Sequence, residues 1–208
     1  MLFRSRLWAH EVEVAETIQR KQENLVFLPG VKLSGGIRAT HSLTEAVDGR
    51  DFLVCAVPSQ VARSVLDALA PLLHGIAIPV VSATKGIEEE SLELMTRVIE
   101  DTLPQRSEVA VLSGPSFAAE VVRGLPTALT LAGTNDQLVH SLQRTLMTPV
   151  FRVYTTNDVI GVQLGGALKN VMALAAGVVD GLGLGHNARA ALITRGLAEM
   201  IRLGVAMG

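Results

Sequence analysis

The chain has 208 residues, of which 49% are hydrophobic and 18% charged, with a formal net charge of -2. That length can bury a sizeable core in one large domain, or in one domain and part of a second. The near-neutral balance leaves no basic footprint for nucleic acid or for an acidic membrane surface.

In chain order, the opening MLFRSRLWAH has arginines but no apolar stretch followed by a small-residue cleavage site. No signal peptide is therefore expected, and cytoplasm is the default. RLW reads as the end of a strand, which puts His10 and Glu11 where dinucleotide folds read the adenosine ribose; a surface histidine is the plainer account of His10. From residue 37 to about 154, short β-branched runs alternate with helix-like segments, as in a parallel sheet covered by helices. IRAT leads into SLTEAVDG, where Ser42 and Glu45 have capping-box spacing and Gly49 can end the helix. DFLVCAV has the length of a buried strand, and Pro58 with Ser59 opens the helix SQVARSVLDALAPLL. Cys55, in that strand, is the chain's one cysteine and can form no intramolecular disulfide, which fits a reducing compartment and a small core residue.

IAIPVVSA is expected to be the next strand, although Pro79 inside it speaks against the full length. EESLELMTRVIEDTL reads as a helix, EVAVLSG as a strand, SFAAEVVRG as a short helix, PTALTLAG as a strand and VFRVYTT as the last strand. Beyond Thr156 the periodicity is helical throughout. The expected architecture is thus a Rossmann-like parallel sheet domain over residues 1–156 and the start of an all-helical domain over residues 157–208. A helical region of about 52 residues is small for a domain, and its pattern still runs at Gly208, so the sequence reads as a fragment. A membrane span needs about 20 apolar residues. Lys169 and Asp180 interrupt the longest apolar stretch, so no span is expected.

Three places can carry chemistry. In GVQLGGALKNVMALAAG, residues 161–177, Lys169 stands in an apolar, glycine-rich helix; burial there would lower its pKa or demand a polar partner, and either prepares it for proton transfer. A tight helix crossing with Lys169 reaching to water is the even alternative. Lys85, in VVSATKGIEEE, follows a strand at the edge where open parallel sheets bind ligands, against a plain solvated loop lysine. In VLSGPSFAAE a strand runs into Gly114, Pro115 and Ser116, and the helix that follows offers free amides to the same edge; an ordinary turn with Ser116 as N-cap is the alternative. VPSQ, with Pro58, would also lie on this edge. The histidines His41, His74, His140 and His186 have no metal-ligand spacing, and no metal is expected.

Together these segments resemble the bacterial-type NAD(P)-dependent glycerol-3-phosphate dehydrogenases. The resemblance covers essentially the whole chain and is carried by residues 161–196, supported by SATKGIE, LSGPSFAAEV, GLPTAL and FRVYTTNDVIG. It implies a dinucleotide-binding domain followed by a helical substrate domain, with NAD or NADP as cofactor. It further implies glycerol 3-phosphate and dihydroxyacetone phosphate as small-molecule substrates, a role in supplying glycerophospholipid precursors, and room for a homodimer. By the same resemblance Lys169 is the proton acceptor, Lys85 contacts cofactor and substrate, Gly114 and Ser116 contact substrate, and Ala118 contacts cofactor. Asn170 would orient lysine or substrate, and His10 and Pro58 would border the cofactor. The sequence departs from that family in holding no G-x-G-x-x-G turn and no Gly-Asp or Arg-Asn substrate segment. A β-hydroxyacid dehydrogenase also places a lysine on such a helix, but with an asparagine four residues on, where this chain has Ala173. A non-catalytic interaction fragment, binding a partner through exposed helix faces, is the rival from another class.

Overall fold

The computed structural model describes residues 4–104 and 107–208. Strands β1 (Ser5–Trp8) and β2 (Ile37–Thr40) pair in parallel and form a two-stranded sheet of their own. Helix α1 (Val12–Lys21) joins them, burying Val14, Ala15 and Ile18 against Leu33, Ile37 and Ala39. The strand-and-helix reading of the sequence passes over α1, although those three residues keep helical spacing. At α2 (Leu43–Val47) Ser42 Oγ accepts the Glu45 amide at 3.3 Å, as a capping residue should. The return half of the box runs through Thr40, whose hydroxyl donates to Glu45 Oε2 at 2.8 Å and accepts the Ser42 amide at 3.0 Å.

The second sheet has five strands in the order β3 (Leu53–Cys55), β4 (Val80–Ser82), β5 (Val109–Ser113), β6 (Thr127–Ala132) and β7 (Phe151–Thr156). All neighbours are parallel except β5 and β6, which run antiparallel. The reversal has a local cause. Helix α5 (Ala118–Val121), between these strands, has four residues, about 6 Å of rise, too little to carry the chain back to the starting edge of β5. Strand β4 begins only after Pro79, which cannot donate to a ladder. Helix α4 (Met95–Thr102) starts later than the sequence suggests, because Ile87 and Leu94 bridge across a turn in which Leu92 has a φ of 59°.

The central strands β4 and β5 are buried on both faces, which is why they read as continuous apolar runs. Val80 packs against α3 (Ser59–Leu69) and α4 through Ala62, Leu66, Val98 and Ile99. The next residue, Val81, turns to the other face and packs with Leu131, Val153 and α6 (Asp136–Leu146). After β7, Asp158 caps α7 (Val159–Gly181) by accepting the Gly161 amide at 2.7 Å. A short turn leads to α8 (Gly185–Met207), which runs back along α7 with Gly196 against Met172.

Helix α7 continues through Lys169 and Asp180, so the interruptions seen in the sequence do not break it. By length and composition it could cross a membrane, at a mean hydropathy of 1.4. Of its buried residues Gln163, Leu164 and Gly166, the last lies against the end of β5, whereas Leu174 of this helix and Leu197, Ile201 and Val205 of α8 are exposed. Leu131, fully buried in the core between sheet and α6, gives a stability prediction: Leu131→Ala should lower unfolding free energy by about 2–5 kcal/mol in urea titration. A loss below about 1 kcal/mol would mean that this core is not packed as described.

Candidate active site

The carboxyl ends of β3, β4 and β5 lie side by side, and the segments that leave them are tied together. Thr84 Oγ1, just past β4, donates to Val57 O at 2.8 Å, and the Ala83 amide donates to Cys55 O at 2.7 Å. The rest of the post-β4 loop is fastened to α3. Gln60 Nε2 donates to Ile87 O and Gln60 Oε1 accepts the Glu89 amide, each at 3.0 Å. Arg63 grips the nearly buried Glu88 with both carboxylate oxygens engaged, at 2.8–3.1 Å, and Ser91 also donates to it. These hydrogen bonds, led by Arg63, hold the Glu88 carboxyl below its ordinary pKa. The grip is thus complete above the usual carboxylate range and is lost as pH falls through the lowered value. Gly86 has a φ of 143° and passes so close to Ser59 that a Cβ would lie 2.4 Å from its Oγ; only glycine suits that position.

Lys85 is held by this loop at the strand edge. Its ammonium is disfavoured, first by burial and second by the charge of Lys169, so its pKa falls below the ordinary lysine value. Helix α7 brings Lys169 there because Gly166 lets the helix backbone approach the end of β5. A Cβ on Gly166 would lie 2.6 Å from Ser113 Oγ and 3.5 Å from Lys85 Cγ. Lys169 follows one turn later, and its Nζ donates to Asn170 Oδ1 at 2.6 Å.

Lys169 is exposed, so of the two alternatives left open by the sequence it is the amine reaching to water that holds, not burial in the apolar helix. The helix buries Gln163, Leu164 and Gly166, and Lys169 falls about 120° round the axis from Gln163. Among the described residues no element covers that side. A groove of about 540 Å³ runs on from Asn170 along Ala173, Leu174, Gly177 and Val178.

The other anticipated positions share the edge less intimately. Gly114 has a φ of 137°, and a Cβ there would meet Leu129 Cδ2 at 2.7 Å and Ala128 O at 3.1 Å, so glycine is required for the chain to leave β5 against β6. Ser116 is half-buried, with Oγ 3.5 Å from Gly114 O; the N-cap of α5 is Phe117, not Ser116. Ala118 is the exposed first residue of α5. Pro58 is the N-cap of α3 and lacks a side-chain acceptor, leaving first-turn amides open at the end of β3. His10 follows β1 in the two-stranded sheet, exposed and edge-on to Trp8. Sequence reasoning missed Ser113 and Gln163. Each is a buried polar residue among apolar neighbours, a signal present in the sequence but unreadable without knowing which face packs.

A mostly parallel sheet with helices on both faces, polar groups gathered at the carboxyl ends of its parallel strands and long apolar helices after it is the Rossmann-like class of oxidoreductase fold. The family model for the NAD-dependent glycerol-3-phosphate dehydrogenase N-terminus matches residues 3–139, and that for the C-terminus of the same enzymes matches residues 158–208. Glycerol-3-phosphate dehydrogenase [NAD(P)+] of Geobacter sulfurreducens is 54% identical over 206 residues, covering 97% of this chain and 61% of that protein. Among solved structures, the glycerol-3-phosphate dehydrogenase of Coxiella burnetii superposes with a TM-score of 0.90 at 40% identity, over 98% of this chain and 62% of that one. The Saccharomyces cerevisiae enzyme does so with a TM-score of 0.79 at 30% identity, over 96% and 60%. The chain belongs to the NAD-dependent glycerol-3-phosphate dehydrogenase family, and it spans about 61% of the length of the curated relatives it matches.

The edge makes a direct prediction. Lys169→Met removes the smaller of the two causes acting on Lys85, so the Lys85 pKa should rise while staying below the ordinary value, because burial remains. Titration of ¹³C-dimethylated lysines by NMR reads this; an unmoved Lys85 would separate the two amines.

Proposed function

We propose that the chain carries the proton-transfer half of an oxidoreductase site that interconverts sn-glycerol 3-phosphate and dihydroxyacetone phosphate, a step that supplies glycerophospholipid precursors. The observation that supports it most is the convergence of Lys169, Lys85 and Ser113 where Gly166 meets the end of β5, in a chain of this family. The residues at this edge fit the nicotinamide end of NAD or NADP: open amides at the start of α3, the Lys85 amine, and the Ser82 hydroxyl, buried at the end of β4 with no partner. When bound, that cofactor supplies the acceptor for the C2 hydride.

The protein groups handle the proton. Lys169, as the neutral amine, takes the C2 hydroxyl proton of glycerol 3-phosphate; in the reverse direction its ammonium gives a proton to the C2 ketone oxygen of dihydroxyacetone phosphate. Lys85 stands between the cofactor and substrate positions, where burial and then the Lys169 charge favour its neutral form. Asn170 orients Lys169 through the 2.6 Å hydrogen bond. Gly114 and Ser116 border the substrate, and Ala118, Pro58 and His10 the cofactor. In this reading residues 1–156 form the cofactor domain and residues 157–208 the substrate domain. The uncovered apolar faces of α7 and α8 fit burial by further polypeptide, a second copy included, and the single unpaired Cys55 fits a cytoplasmic setting.

The test is a chimera in which the segments of the Geobacter sulfurreducens relative that lie outside the matched region are joined to these 208 residues. In it, Lys169→Ala should lower kcat by about 10²–10⁴-fold, with cofactor affinity little changed. Lys169→Arg should not restore turnover, because guanidinium does not give up its proton at working pH. Turnover within about twofold of the parent in Lys169→Ala would remove Lys169 from the role.

A further inference from the structure

We propose that Gln163 is a positioning residue: by latching α7 to the amino terminus of α4, it fixes the rotation of α7 that holds Lys169 over the Lys85–Ser113 edge. The inference rests on the reading of Lys169 given above. Helix α4 begins after Leu94, whose side chain provides no cap, so its first amides need acceptors from elsewhere. The Thr96 amide finds one 67 residues away, donating to Gln163 Oε1 at 3.0 Å. The Gln163 amide group completes the contact by donating from Nε2 to Thr96 Oγ1 at 3.0 Å and to Val159 O at 3.2 Å. A glutamine is thus the N-terminal cap of a helix in the other half of the chain.

The latch matters because, among the described residues, the first half of α7 makes no other side-chain hydrogen bond to a different element. Its buried residues among those described are Gln163, Leu164 and Gly166. Leu164 contributes apolar contact, which is non-directional, and Gly166 contributes a bare backbone that permits approach without setting an angle. Gln163 is 6% exposed and hydrogen-bonded at both ends of its amide, so among the described residues its side chain is the one that hydrogen-bonds α7 to a helix of the sheet region. Each residue of a helix turns it by about 100°, and loss of that tie frees α7 to rotate and carry Lys169 off the edge, since Lys169 and Asn170 themselves are exposed.

The test uses the 208-residue chain with ¹³C-dimethylated lysines, reading the Lys85 titration by NMR, so no turnover is required. Gln163→Met nearly preserves volume but removes every bond of the latch. It should raise the Lys85 pKa as Lys169→Met does, because the second amine moves away. Leu164→Val, which loosens packing in the same turn without touching the latch, should leave the Lys85 titration where it is. An unmoved Lys85 in Gln163→Met, with Lys169→Met shifted, would overturn the latch and leave the lysine pair standing. An equal shift in Leu164→Val would make the hold one of packing and also overturn it. If Lys169→Met itself leaves Lys85 unmoved, the reading of the paired lysines fails instead. Should Gln163→Met not give the parent circular dichroism spectrum, Thr96→Val is decisive: it keeps the backbone bond and removes the hydroxyl partner. A smaller rise is then expected, and no rise would overturn the proposal.

Discussion

Helix α7 meets the carboxyl end of β5 without an intervening side chain, and the rest of the site follows from that approach. At Gly166 the helix lies so near Ser113 and Lys85 that one methyl group would collide. Lys169 is therefore presented one turn beyond a contact between backbone and strand end. Strand β7 runs parallel to β6 and antiparallel to β5, and its last residue is level with Val111, so α7 has to run in the direction of β5 and reaches Ser113 at Gly166, two turns in. The reversal between β5 and β6 is thus tied to where the second lysine comes from.

The first lysine depends on a different device. Lys85 sits in a loop, and loops are ordinarily the mobile parts of a fold. This one is bound to α3 by Gln60, by the fork of Arg63 on Glu88, and by the close passage of Gly86 over Ser59. A loop held in this way can keep an amine half-buried at a strand edge, where desolvation and a like charge both act on it. Two amines, one on a stapled loop and one on a latched helix, meet above Ser113. That pairing suits an acid-base task.

Much of this was legible in the sequence because it lies in local pattern. Strands buried on both faces read as apolar runs, the helical region after Thr156 showed its period, and Lys85, Gly114 and Lys169 stand in short segments with a family resemblance. What the sequence did not show belongs to tertiary contacts. Burial of Lys169 stood even with exposure because its neighbours in the chain are apolar, yet those neighbours face several directions round a helix and much of that surface is uncovered. Gln163 looked like one polar residue in an apolar run; its meaning appears only once Thr96, 67 residues away, is seen to lack a cap. The direction of β6 was hidden because a four-residue helix and a longer crossover begin with similar residues.

The account stands on the claim that the Lys85 and Lys169 amines share one small space. The chain has four lysines, at positions 21, 32, 85 and 169, so a short bifunctional amine reagent gives few products and each is assignable by mass spectrometry of the digest. The expected result is a dominant intramolecular Lys85–Lys169 bridge, diminished in Gly166→Leu, where a side chain would push the helix off the strand end. Bridges that join Lys169 to neither Lys85 nor its loop, or a Lys85–Lys169 bridge untouched by Gly166→Leu, would contradict it.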